Sequence, residues 1–164
     1  MLPDHSTSDL RLLSSDVLLE LDNQFCFALH AASRRVVRSY GPLLDELDLT
    51  YPQYLVLLVL WAWDREQHPR PTVTALGERL DLDSGTLTPL LRRLEQKGLI
   101  TRERASGDER ELLVRVSRSG RLLKRRARKV PLSLLERSSI PLQELIELRE
   151  RLKTLRSSLH PERA

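Results

Sequence analysis

The chain holds one cysteine, Cys26, within NQFCFALHAASRRVVRSY at residues 23–40. Phe25 and Phe27 flank it, Gln24 precedes it, His30 follows one helical turn later and Tyr40 closes the stretch. A thiol, once ionised, is the strongest nucleophile among the side chains and reacts with peroxides or with a second thiol. A cysteine in an apolar helix also reads as a small buried hydrophobe, and the neighbouring residues do not decide between the two. Position bears on the choice. If the helix starts near Asp22, the sulfur lies in its first turns, where the helix dipole favours a thiolate; if it starts near Ser15, that advantage is gone. One cysteine excludes an internal disulfide framework and any zinc site built on several thiolates, so a reducing cytoplasm is the expected compartment.

A second chemistry is electrostatic. From Arg92 to Lys129 there are fourteen Lys/Arg against five Asp/Glu, so within a net charge of +4 the rest of the chain carries minus five. A basic block beside a mildly acidic body is what a nucleic-acid-binding protein presents, although a solvated helix face has the same composition. The four histidines and the scattered carboxylates follow no ligand spacing, and no Gly-rich phosphate loop is present. No metal, no cofactor and no catalytic set is therefore expected. The N-terminal MLPDHSTSDL has neither a basic start nor an apolar stretch, unlike a signal peptide, and the apolar run YLVLLVLWAW at 54–63 is too short to span a bilayer. No membrane partner is expected.

These groups need elements to position them. With 40% hydrophobic and 30% charged residues and only six glycines in 164, the chain reads as mostly helical. Residues 1–14 read as a flexible arm. Leu21, Phe25, Leu29, Ala32, Val36 and Tyr40 recur at helical spacing from about Asp16 to Tyr40, and the Gly41–Pro42 pair reads as a break before one or two further turns. Thr50 and Gln53 form a capping box for the apolar helix, and Thr72 caps a short helix, VTALGERL. DSGTLTPLLRRLEQKG is a second short helix with Leu87, Leu90, Leu91 and Leu94 on one face; Pro89 predicts an irregular start, and Gly98 a left-handed end. LITRER and RELLVRV alternate as paired strands around an ASGDE tip. Two short helices and a hairpin make a winged helix-turn-helix. Ser117 then caps a basic helix to about Val130. From Ser139, a last helix spaces Leu145, Leu148, Leu152, Leu155 and Leu159 three and four apart, a seam that asks for a helical partner. Two long terminal helices have too little central domain to bury them, which points to a homodimer. Trp61 and Trp63 read as buried helix residues.

LDSGTLTPLLRRLEQKGLITR, DER at 108–110 and VSRSG at 116–120 together resemble the MarR family of dimeric winged-helix transcription regulators. NQFCFALHAASR and YGPLLDELDLTYPQYLVLLVLW narrow the resemblance to its organic-hydroperoxide-sensing, OhrR-type branch, over about residues 21–159. The resemblance implies a mainly α fold with a small β-hairpin wing. It implies one domain over 15–164, with dimerisation helices at 15–49 and 118–164 and the winged helix-turn-helix at 50–117. It implies a repressor on double-stranded operator DNA, released when an organic hydroperoxide oxidises Cys26, with Tyr40 as the tyrosine that hydrogen-bonds the thiol. His30 stands where the branch commonly has a second tyrosine, residues 67–71 are longer than usual, and the resolving cysteine of some members is missing.

On one straight helix, Cys26 and Tyr40 lie about 21 Å apart, so their contact must come from an antiparallel neighbour, the second subunit. His30 either faces the thiol or turns to solvent. The packed stretch is then core and sensor together. With no second cysteine, the oxidised sulfur persists as a sulfenic acid or is captured by a small cellular thiol. Ser84, Thr86, Thr88, Arg92 and Arg93 are the expected major-groove contacts, and Arg110 the minor-groove contact oriented by Asp108; Arg110 paired with Glu109 or Glu111 is the alternative. Two other functions compete: release by a small aromatic ligand in the dimer cleft with Cys26 a bystander, and a one-cysteine thiol peroxidase. The lack of a thioredoxin-like βαβ pattern counts against the peroxidase, and a Cys26→Ser variant separates the other two.

Overall fold

The computed structural model describes residues 15–105 and 108–159; the expected arm at 1–14 lies outside them. In order, the elements are α1 (Ser15–Leu19), a 3₁₀ turn (Leu21–Asn23), α2 (Phe25–Asp45), α3 (Tyr51–Glu66), α4 (Val73–Leu80) and α5 (Ser84–Gln96). The strands β1 (Ile100–Ala105) and β2 (Asp108–Val116) follow, then α6 (Arg118–Ala127), α7 (Lys129–Glu136) and α8 (Leu142–Ser158). The chain divides into two units, Met1–Gly41 and Pro42–Ala164. The fold is mainly helical with one small hairpin, as the spacing indicates.

In the first unit, the single helix expected from Asp16 to Tyr40 is broken. Asn23 Nδ2 donates to the Val17 carbonyl and to Glu20 Oε2, both at 3.0 Å, and this local bonding competes with the helical pattern. Gln24 is extended, and α2 begins at Phe25. The break expected at Gly41–Pro42 does not occur, because α2 runs through it to Asp45. Proline disfavours helix in the residue before it partly through that residue's Cβ, and Gly41 has none. Leu44, in the next turn, is 1% exposed, so packing fixes the end of the helix.

In the second unit, α3 carries the core. Thr50 Oγ1 accepts from the Gln53 amide and Gln53 Oε1 accepts from the Thr50 amide, the expected capping box. Val56, Leu57, Leu60 and Trp61 are buried, and the Trp61 indole N–H donates to the Gly120 carbonyl at 2.9 Å, tying α3 to α6. Trp63 is only partly buried and stacks on His68. Gly120 is where a Cβ would run into the Leu99 carbonyl and the Val116 side chain, so glycine is required for the close approach. Ser117 Oγ accepts from the Gly120 amide at 3.0 Å and donates to the Gly98 carbonyl at 2.6 Å. This is the physical content of the Ser-x-x-Gly pattern.

The basic helix expected to reach Val130 stops at Ala127. A second helix starts at Lys129, and the last one starts at Leu142 rather than Ser139, after Pro141. No residue of α8 is buried. Among the described residues, no helix is long and apolar enough to cross a membrane.

Candidate nucleic-acid interface and thiol site

The reading head is built by caps and glycines. Thr72 Oγ1 accepts from the Ala75 amide and starts α4, and Asp81, at φ 57°, ends it in the left-handed region. The turn closes through Leu82 N–H to the Gly77 carbonyl at 2.9 Å, and a Cβ on Gly77 would lie 2.9 Å from the Leu82 carbonyl oxygen. Asp83 then caps α5: its carboxylate accepts from the Thr86 amide and the Thr86 hydroxyl, each at 2.8 Å. Those hydrogen bonds hold the Asp83 carboxyl below the usual carboxylate range. Leu87, Leu91 and Leu94 are buried to 1% exposure or less and fix which way the helix faces. Gly98, at φ 66°, closes the far end as expected.

α5 is regular from Ser84 to Gln96, so the irregular start expected from Pro89 is absent. Capping by Asp83 and the buried leucines beyond the proline outweigh one missing hydrogen bond. Ser84, Thr86, Thr88, Arg92 and Arg93 are all exposed. The Thr86 hydroxyl is committed to Asp83, and the Thr88 hydroxyl donates to the Ser84 carbonyl at 2.7 Å, leaving both oxygens as acceptors only. At 100° per residue, the line diametrically opposite the buried leucines is Gly85, Pro89, Arg92 and Gln96. Arg93 and Thr86 lie on one flank of it and Thr88 on the other, while Ser84 falls toward the leucine side.

β1 and β2 pair antiparallel from Ile100↔Val116 to Arg104↔Leu112, after which Ala105 pairs with Asp108. Glu109, Arg110 and Glu111 therefore bulge from β2 at the wing; bulges re-aim the chain at sheet ends. The side chains of Asp108 and Arg110 lie outside the described residues. Glu111 pairs with Arg70 at 2.8 Å.

Much of the basic block is spent inside the fold. Lys97 pairs with Asp48 at 2.9 Å, Arg102 with Glu95, and Arg121 with Asp64 at 2.8 Å; Lys124 and Arg126 donate to the carbonyls of Trp61 and Glu46. Arg92 and Arg93 have no ion-pair partner among the described residues. Composition could not separate the two groups.

At the thiol, Cys26 is the second residue of α2. The first intrahelical bond runs from the Ala28 amide to the Gln24 carbonyl at 3.1 Å, so the Cys26 amide precedes the ladder, and the sulfur sits at the helix's positive end. Of the two starts considered, the one near Asp22 is closer to the truth. The thiol donates to Gln24 Oε1 at 3.5 Å, a partner the sequence reading did not single out. Cys26 is exposed, as are Phe25 (64%), Phe27 (40%), Leu29 (40%) and Val36 (46%). The expectation that this stretch is packed core fails for the single chain. No hydrogen bond joins His30 to Cys26 among the described residues, and Tyr40, partly buried, is fourteen residues along the same helix, about 21 Å away. One chain does not bring the three together. Among the described residues, no group of three His, Cys, Asp or Glu side chains is placed to hold a metal.

Residues 38–126 match the family model of the SarA/Rot transcriptional regulators. Over 142 residues, the chain is 48% identical to the organic hydroperoxide resistance transcriptional regulator of Bacillus subtilis (strain 168), covering 87% of this chain and 93% of that one. Among solved structures it is similar to reduced AbfR bound to DNA (32% identity, TM-score 0.68, 92% of this chain and 96% of that chain). It is also similar to overoxidized AbfR bound to DNA (32%, 0.67, 93% and 98%). Fold and relatives define a winged-helix, DNA-binding transcription regulator, not an enzyme. The chain belongs to the MarR family, in its branch of organic-hydroperoxide resistance regulators.

Proposed function

We propose that this protein is a cytoplasmic homodimer that represses transcription on double-stranded operator DNA and lets go when an organic hydroperoxide oxidises Cys26. In the reaction, the Cys26 thiolate attacks the terminal peroxide oxygen. The S–O bond forms, the O–O bond breaks, and the alkoxide leaves and takes a proton to become the alcohol. Sulfur is oxidised by two electrons to the sulfenic acid, as the peroxide is reduced. A small cellular thiol then displaces water to form a mixed disulfide; without it, excess oxidant carries the sulfur on to sulfinic and sulfonic acids.

The observation that carries this reading is the place of Cys26: exposed, in the first turn of α2, in a chain 48% identical to a hydroperoxide-resistance regulator. The exposed apolar residues around it support a second subunit as their cover, and that subunit is the source of Tyr40 for the thiol. On DNA, α5 enters the major groove through Ser84, Thr86, Thr88, Arg92 and Arg93, and Arg110 enters the minor groove, oriented by Asp108. The test is operator binding by reduced wild type and Cys26→Ser, with and without cumene hydroperoxide. Both should bind when reduced, and only the wild type should lose affinity, by tenfold or more, with peroxide. Equal release of Cys26→Ser would end the thiol-switch reading. Mass spectrometry should find the sulfenic acid or a mixed disulfide; an intersubunit Cys26–Cys26 disulfide as the main product would overturn the one-cysteine scheme.

A further inference from the structure

The two DNA-reading elements are tied together at the root of the wing. Arg102, on β1, sends both Nε and Nη2 to one oxygen of Glu95 on α5, at 3.0 and 2.5 Å. The side chains keep only 21% and 37% exposure, whereas the neighbouring-residue pair Arg65–Glu66 keeps 70% and 57%. The Arg102 hydrogen bonds also hold the Glu95 carboxyl below the usual carboxylate range.

The place of this pair matters more than its strength. Across the hairpin Arg102 faces Val114, and one step nearer the base Ile100 faces Val116, both buried. Apolar packing thus orients the base of the hairpin, and from Arg102 outward β1 is held to α5 by the ion pair. β2 is held on its other edge by the Val114 amide donating to the Pro71 carbonyl at 2.8 Å, a bridge between Leu113 and Thr72, and the Arg70–Glu111 pair. Arg110 lies four residues beyond Val114, no more than about 13 Å along the strand. At that lever length, a tilt of about 10° at the root displaces the tip by roughly 2 Å, which is enough to break the hydrogen bonds it makes. We propose that the Glu95–Arg102 pair is a positioning device that sets the wing's direction relative to α5, so that minor-groove and major-groove contacts fall on one operator in register. This rests on the reading of Arg110 as the minor-groove contact given above.

The experiment compares operator affinity for wild type, Glu95→Gln, Arg110→Ala and the double variant, each with a thermal melt and with hydroxyl-radical and dimethyl-sulfate footprints. Glu95→Gln should keep its melting temperature within a few degrees and bind the operator about tenfold more weakly. Its hydroxyl-radical protection at the wing should fade, while guanine N7 protection under α5 remains. The double variant should bind no worse than Arg110→Ala alone, since a misaimed wing has nothing left to lose. Full affinity in Glu95→Gln, or losses that simply add, would overturn the positioning role and leave the Arg110 contact standing. Uniform fading of both footprints would also overturn it, by showing a merely structural pair. If Arg110→Ala itself binds normally, the wing reading falls and this proposal with it.

Discussion

α5 and α8 carry leucines at the same three-and-four spacing, yet they end in opposite conditions. Leu87, Leu91 and Leu94 of α5 are buried to 1% exposure or less, covered by the chain's own helices and hairpin. On α8, Leu148 and Leu152 keep 48% and 38% exposure, and none of its residues is buried. In the first unit, Phe25, Phe27 and Leu29 are exposed in the same way. A stripe of leucines fixes which face of a helix avoids water; it does not say whether the cover comes from the same chain. The reading head is finished within one chain, and the terminal helices are not.

That contrast can be broken most forcefully on α8. Replacing Leu148 and Leu152 together by Asp should leave monomeric or unfolded protein, because the proposed dimer would bury two charges in each subunit. Sedimentation should report it, and a well-folded wild-type monomer at micromolar concentration would erase the distinction. Leu91→Ala is the counterpart, costing about 2–5 kcal/mol as for other buried leucines. Its lowering of the melting temperature should be the same at every protein concentration, whereas that of Leu148→Ala should grow on dilution.

A smaller effect is expected at the wing, where Arg110→Ala should weaken operator binding about tenfold with the dimer intact by sedimentation. Unchanged affinity at moderate salt would remove Arg110 from the interface. Smaller again is the cap of α5. The Asp83 carboxyl is held low in the folded chain, so its contribution is present above the unfolded value, about 4, and is lost as pH falls through the lower folded value. The melting-temperature gap between wild type and Asp83→Ala should be constant above about pH 5 and close in stronger acid. A gap that persists in acid would mean that the carboxylate is not the cap.

The subtlest test concerns His30. His30 stands one helical turn from Cys26, so His30→Tyr should change the rate at which peroxide oxidises the thiol. Identical rates would leave His30 without a part in the thiol chemistry.

The sequence by itself determined what depends on neighbours a few residues apart. The Thr50–Gln53 capping box, the Thr72 and Ser117 caps, the left-handed Gly98 and the leucine face of α5 were legible because each is one turn's worth of hydrogen bonds or spacing. The winged helix followed from these; the start of the helix that carries Cys26 did not, since starts near Asp22 and near Ser15 both fitted the spacing, and the structure puts it at Phe25. Only the tertiary structure decided which cations stay available. Lys97 and Arg121 find carboxylates far along the chain and Arg102 finds one seven residues back, across the turn into β1, whereas Arg92 and Arg93 have none among the described residues, though nothing in their local pattern differs. It also decided that α2 passes through Pro42 and that α5 ignores Pro89, because leucines buried beyond each proline outweigh one lost hydrogen bond. And it left the phenylalanines beside Cys26 uncovered, since burial is a property of what a face meets, and no spacing along one chain encodes that.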